Sequence, residues 1–203
     1  MEIDTVIDNL KEMLKDRGDN IDMFEENEGV INRDEFYNDK NPIEFQTSNT
    51  TIIFALTKKL RRFILDEFKL FEENFTNFIE KYNNKKNIII ILNNDTISVP
   101  ILSQINKFDK IIQKLGGMIQ YFQIKHLMFN PTKHELVPKH TKLNATEVAE
   151  IMSKYMIKSK LSMPIILHND PIAKWLGLKQ GDIVMIDRYN ENSGISYYYR
   201  CCI

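Results

Sequence analysis

An α/β domain followed by a smaller α+β domain is the architecture the sequence predicts, and three observations predict it. Ile88-Ile89-Ile90-Ile91-Leu92 is an unbroken, largely β-branched run, as expected of a strand covered on both faces. Around it, signals from residue 43 to 126 follow the order strand, strand, helix, strand, helix, strand, which fits helices packed on a mixed sheet. After Asn130-Pro131 the pattern changes to short capped helices and alternating strands, marking a second unit.

The first unit opens with an amphipathic helix, since Ile3, Val6, Ile7, Leu10, Met13 and Leu14 recur at helical spacing and Gly18 supplies a stop. Residues 19–41 are acidic and Asn-rich, with a short helix expected at Arg33–Tyr37. Ile43–Thr47 and Thr51–Leu56 flank Ser48-Asn49-Thr50 and read as a hairpin. A long helix is predicted from Arg61 to Tyr82, burying Phe63, Ile64, Phe68, Phe71, Phe75, Phe78 and Ile79. The central strand comes next, then a helix from Ser98 to Leu115 ended by Gly116-Gly117, and a strand from Met118 to His126.

In the second unit Asn144 and Glu147 form a capping box, starting a helix whose buried stripe is predicted as Val148, Ile151, Met152 and Tyr155. Met163–His168 reads as a strand. Asp170 then serves as N-cap and Pro171 as first helical residue for a short helix, Ile172–Leu176, stopped at Gly177. The strands Ile183–Arg188 and Ile195–Ile203 are joined by a turn at Tyr189–Gly194. The domains are placed at residues 1–127 and 131–203.

Composition excludes several classes of function. The 27 basic and 28 acidic residues nearly cancel, so strong autonomous binding to a phosphate backbone is not expected. The cysteines are adjacent, Cys201 and Cys202, and alternation along a strand aims them at opposite faces, which rules out a disulfide framework or zinc site. No apolar run approaches the roughly 20 residues of a membrane span, and Met1-Glu2-Ile3-Asp4 is not a basic signal-peptide start, so a soluble intracellular chain is expected. Abundant Asn, Ile and Lys match the bias of an A+T-rich genome.

Candidate chemistry yields to structural readings. His134 and His140 bracket Glu135, but Pro138 interrupts them and the spacing fits no zinc pattern; an ordered linker with hydrogen-bonded imidazoles is preferred. A nuclease would need a strand carboxylate and a Glu-x-Lys to hold Mg²⁺. Glu67-Phe68-Lys69, the one such triplet, falls in the predicted long helix, and the central strand carries no acid. Lys58, Lys59, Arg61 and Arg62 read as a solvated helix start in preference to a phosphate contact. Gly177, Gly181 and Gly194 are too dispersed to cradle a phosphate.

The heptad His134-Glu135-Leu136-Val137-Pro138-Lys139-His140 resembles the signature opening the C-terminal domain of the jaw (fifth) subunit of eukaryotic DNA-directed RNA polymerases, a family with a small archaeal polymerase relative. Met163-Pro164 and Asp170-Pro171-Ile172-Ala173-Lys174-Trp175-Leu176-Gly177-Leu178-Lys179-Gln180-Gly181 resemble its second signature. Asp182–Arg188, Ser193-Gly194 and Tyr199-Arg200 continue the match. In the first domain, Met13–Gly18 is similar to the family's Met-x-x-Asp-Arg-Gly, and Asn93–Ser98 resembles its Asn-Asn-x-Thr-Pro-Ser loop, with Ile97 in place of proline.

This resemblance implies a non-catalytic polymerase subunit that uses no cofactor and no metal. The C-terminal domain would anchor on the largest subunit and meet other subunits through His134, Pro138, His140, Asp170, Pro171, Leu176, Gly177, Gly181, Arg188, Tyr199 and Arg200. The N-terminal jaw domain, restriction-endonuclease-like in fold, would lie near downstream duplex DNA through Asn93, Asn94, Thr96 and Ser98. Transcription factors are further partners and a membrane is not. Lys174, Gln180 and Tyr189-Asn190 depart from the family pattern, and such drift fits a large-DNA-virus homologue, in virion and host cytoplasm, better than a nuclear one. An endonuclease dependent on Glu67 or Asp95 is the alternative.

Overall fold

The computed structural model describes residues 2–29, 31–37, 40–59, 62, 87–94, 97–114, 116–192 and 194–203. It divides the chain into two compact units, Met1–Phe129 and Asn130–Ile203.

Helix α1 (Glu2–Asp16) buries Ile3, Val6, Ile7, Leu10, Met13 and Leu14, the predicted stripe. Acidic Glu2 and Asp4 at its start and Lys15 at its end complement the helix dipole. Gly18 ends it at φ +76°, where a left-handed residue lets the Gly18 and Asp19 N–H groups donate to the Lys15 and Leu14 carbonyls. Helix α2 (Asp22–Glu28) follows in the acidic stretch, where none was anticipated; its apolar anchor is the single buried Phe24. The expected turn of helix at Arg33–Tyr37 is a 3₁₀ turn that buries Phe36.

The first sheet runs β1 (Ile43–Gln46), β2 (Thr50–Ala55), β3 (Asn87–Leu92) and β4 (Met118–Gln123) in that spatial order. Strand β1 is antiparallel to β2, and β2, β3 and β4 are mutually parallel, so the sheet is mixed. Helix α3 (Val99–Lys114) covers one face, packing Ile105, Phe108 and Ile112 against Ile53, Ala55, Ile88, Ile90, Leu92 and Ile119. Alternation sends Phe45, Ile52, Phe54, Ile89 and Ile91 to the other face. There Phe24 lies 4.6 Å from Phe45 and Phe36 meets Phe54 edge-on at 4.9 Å between ring centroids. Strand β4 stops three residues before the predicted end, because Ile124–His126 turns into a 3₁₀ segment. The predicted helix over 61–82, with its phenylalanines and Glu67-Phe68-Lys69, lies outside the described residues, as do Asp95 and Thr96.

Two side chains after α1 tie it to the sheet. The Arg17 guanidinium donates to Gln120 Oε1 on β4 at 2.7 Å, and desolvation pulls it down to about 10. The Asp19 carboxylate accepts from Ser48 Oγ (2.6 Å), Thr47 Oγ1 (2.9 Å), the Asn49 N–H (3.0 Å) and Thr50 Oγ1, holding the β1–β2 turn. Burial opposes its ionisation, yet donors from Ser48, Thr50, Thr47 and Asn49 outweigh that and hold the carboxyl below the usual carboxylate range.

In the C-terminal unit β5 (Lys139–Lys142), β6 (Ile165–Ile166), β7 (Ile183–Asn190) and β8 (Gly194–Cys202) form a sheet of order β5-β7-β8-β6. Strand β5 falls where the sequence suggests a linker; four residues with no buried side chain give no periodic signal. The β7–β8 ladder runs to Asn190↔Gly194, so Tyr189 and Asn190 belong to a strand and not to the turn. The predicted Met163–His168 strand shrinks to two residues, since a 3₁₀ turn at Lys160–Ser162 precedes it.

Both faces of this sheet are covered. Helix α4 (Ala145–Lys154) packs Val148, Ile151 and Met152 on the face of Ile183, Met163 and Cys201. Helix α5 (Pro171–Trp175), with Ala173, covers the opposite face alongside Ile166, Leu178, Val184 and Cys202. Tyr155, expected in the α4 stripe, is 51% exposed because the helix ends at Lys154 and turns it outward. The adjacent cysteines enter separate cores, as alternation requires.

Replacing Asp19 with alanine should destabilise the chain by about 2–3 kcal/mol, since several donors lose their acceptor. The wild-type contribution is present above the ordinary carboxylate range and is lost as pH falls through the lower folded value. Urea denaturation at several pH values tests both, and an Asp19→Ala chain as acid-sensitive as wild type would contradict the assignment. Burial pushes the Cys202 thiol up to about 11 and raises Cys201 too. Native-state alkylation at neutral pH should accordingly be about 100-fold or more slower than in denaturant, as mass spectrometry would read out.

Candidate functional site

The heptad builds the entry to the second sheet. Exposed His134 accepts the Leu136 N–H on Nδ1 at 3.2 Å, while His140 Nδ1–H donates to the Pro138 carbonyl at 2.6 Å. Both imidazoles therefore bond local backbone, and His140 stands on β5 opposite Ile186. Among the described residues no group of three or more His, Cys, Asp and Glu could hold a metal ion.

The second motif is a helix with its caps. Asp170 accepts the N–H groups of Ile172 (2.8 Å) and Ala173 (3.4 Å), and Pro171 fills the first helical position. Leu176 ends the helix and packs beside Leu178, while Gly177 adopts φ +61° so that the Leu178 N–H can return to the Ala173 carbonyl at 2.9 Å. Gly181, at φ +86°, donates to the Cys202 carbonyl and accepts Lys160 Nζ, both at 2.9 Å. Asp182 next to it receives the Lys179 N–H at 2.7 Å and pairs with Lys142 Nζ at 2.6 Å. The motif thus positions backbone, and its charged atoms are used in doing so.

The last motif residues divide between the two faces. Register places Arg188 opposite Ser196 and Arg200 opposite Val184, so both arginines share the face of His140. The Arg188 guanidinium sits 4.5 Å over the Tyr198 ring. Arg200 Nη1 donates to the Ile165 carbonyl at 3.3 Å, and its Nε is buried without a hydrogen-bond partner among the described residues. Tyr199 points to the α4 face, 5.9 Å from the Tyr155 ring, and burial followed by the neighbouring Tyr155 and Tyr197 raises its hydroxyl above the usual tyrosine range.

In the N-terminal unit, Asn93, Asn94 and Ser98 follow the carboxyl end of β3. Asn94 Oδ1 accepts the Lys125 N–H at 2.7 Å, the Asn94 N–H donates to Asn93 Oδ1 at 2.7 Å, and the Ser98 carbonyl accepts the first N–H groups of α3. Thr96 lies outside the described residues. Lys58, Lys59 and Arg62 are exposed.

One feature escaped the sequence reading. An open groove runs between the end of α4 and strand β8, lined by Tyr155–Lys158, Ser162–Pro164 and Tyr197–Tyr199. At its rim Met156 is 88% exposed and holds φ +54°, a left-handed conformation taken so that the Ile157 N–H can close on the Met152 carbonyl. The tyrosine spacing hinted at a strand, but only pairing shows that this strand borders a groove.

In this two-faced α+β unit the motif residues serve caps, turns and ion pairs. Residues 129–202 match the family described as RNA polymerase Rpb5, C-terminal domain, a stretch that falls on the C-terminal unit. Relatives include subunit RPABC1 of DNA-directed RNA polymerases I, II and III from Caenorhabditis briggsae and Caenorhabditis elegans, each 36% identical over 96 residues, or 45% of this chain and 45% of the relative. The corresponding subunit of Dictyostelium discoideum is 38% identical over 85 residues, covering 42% of this chain and 43% of the relative. The matches thus span less than half the length of these relatives.

Asp170→Ala should cost about 1 kcal/mol by leaving the first N–H groups of α5 without an acceptor. Met156→Gly should gain about 1 kcal/mol by relieving the left-handed strain, less the added entropy of the unfolded chain. Chemical denaturation of the two variants checks both signs.

Proposed function

We propose that the chain is a non-catalytic subunit of a multi-subunit DNA-directed RNA polymerase, with residues 131–203 as its assembly domain and residues 1–127 as a jaw domain. The observation that carries this reading is coincidence: the family match over 129–202 falls on the compact unit Asn130–Ile203. The C-terminal domain anchors on the largest subunit, and the arginines and Tyr199 supply side chains at its surface. Asp170, Pro171, Gly177 and Gly181 act through the shape they give the domain.

The N-terminal unit projects toward downstream duplex DNA, with the loop after β3 nearest to it. Its mixed sheet, parallel at the centre, is compatible with a restriction-endonuclease-like core. Strand β3, Asn87–Leu92, has no carboxylate for a metal, which favours a positioning role over cleavage. Near-zero net charge agrees with catalytic subunits supplying most of the grip on DNA. Such a subunit works in the nucleus, or in virion and host cytoplasm for a viral homologue.

Purification of the tagged full chain from its source should recover the large polymerase subunits in stoichiometric amounts. Deleting residues 1–127 should spare that recovery and reduce crosslinking to downstream DNA severalfold. Recovery of residues 1–127 with polymerase in place of 131–203 would reverse the anchoring assignment.

A further inference from the structure

The hydrogen bonds around β8 show which way each of its residues faces. The Cys202 N–H donates to the Asp182 carbonyl on the β7 side, whereas the Cys201 and Ile203 N–H groups donate to the Pro164 and Ile166 carbonyls on the β6 side. Alternation then directs the amides and carbonyls of Ile195, Tyr197 and Tyr199 to the β6 side as well. Strand β6 covers that edge only at Ile165↔Cys201 and Ile166↔Cys202. Among the described residues nothing pairs with the edge from Ile195 to Tyr199, and the groove beside Tyr155 and Met156 lies along it.

We propose that this edge accepts an extended strand of the largest polymerase subunit, which continues the line of β6 and carries alternating apolar and acidic side chains. The inference rests on the assembly reading given above and deepens it. Main-chain bonds to Ile195, Tyr197 and Tyr199 would hold the strand, and alternate side chains would enter different surroundings. On the α4 face they meet the groove lining of Tyr155, Met156, Lys158 and Tyr199, with the Asp187 carboxylate of β7 on the same side. On the other face they meet the guanidinium groups of Arg188 and Arg200, the latter with an Nε that no described residue hydrogen-bonds, and two cations on one face select a carboxylate. Asp187, opposite Tyr197 on the α4 face, keeps acidic groups off that side and so fixes the order of the alternation.

The test uses the tagged full chain co-expressed with its cognate largest subunit. Tyr197→Pro removes an N–H directed at the open edge and leaves the Ser196 and Tyr198 groups bonded to β7, so partner recovery should fall about tenfold or more while the melting temperature holds. Tyr197→Phe should recover as wild type, and Arg200→Gln should lose about threefold. Hydrogen exchange of peptides spanning 194–199 should slow in the wild-type complex relative to the free chain, a measurement that decides the matter even if Tyr197→Pro does not fold. Unchanged exchange, full recovery with folded Tyr197→Pro, or a dimer of the free chain that protects this edge would each overturn strand addition while leaving the assembly reading intact. Failure of the wild type to recover any polymerase subunit would overturn both.

Discussion

Strands covered on both faces set the terms for each unit. Such a strand cannot alternate apolar with polar residues, because every side chain enters a core. Strand β3 meets the demand with four isoleucines and a leucine, split between α3 and the aromatic layer of Phe24, Phe36, Phe45 and Phe54. In the C-terminal unit Ile183-Val184 and Cys201-Cys202 do the same, each pair placing one member under α4 and the next under α5. The two small sulfur side chains fit a place where layers on both sides approach the strand end, and their burial makes them packing groups rather than reactive ones.

That constraint decided what could be read from sequence. Double-sided strands, the capping box of α4 and the Asp170-Pro171-Gly177 unit were all legible, since each is specified by residues close in the chain. Strand β5 and helix α2 were not, because their short spans are stabilised by partners far away in sequence. Extending the helical period past Lys154 puts Tyr155 in the core, but α4 ends there and Met156 turns left-handed. The candidate site divides the same way: roles of Asp170, Gly177 and Gly181 follow from local chemistry, whereas the grouping of Arg188 with Arg200, and the groove, depend on register.

The Met13–Gly18 stretch of the first unit has a folding role. Within Met13-Leu14-Lys15-Asp16-Arg17-Gly18, Gly18 terminates α1 and Arg17 reaches Gln120 on β4. Asp19, just beyond, gathers the turn between β1 and β2. A few consecutive residues thereby attach one helix to opposite margins of the sheet.

The cations beside the margin of β8 that no described residue pairs with bear on solubility. Exposed strand edges template pairing with other chains, and natural proteins discourage this with charge. Two copies joined edge to edge would bring Arg188, Arg200 and Lys158 of one toward their counterparts in the other, a repulsion that a carboxylate-bearing strand would instead neutralise. Side chains that suit this margin to the carboxylate-bearing strand proposed above would thus also oppose the pairing of identical chains there.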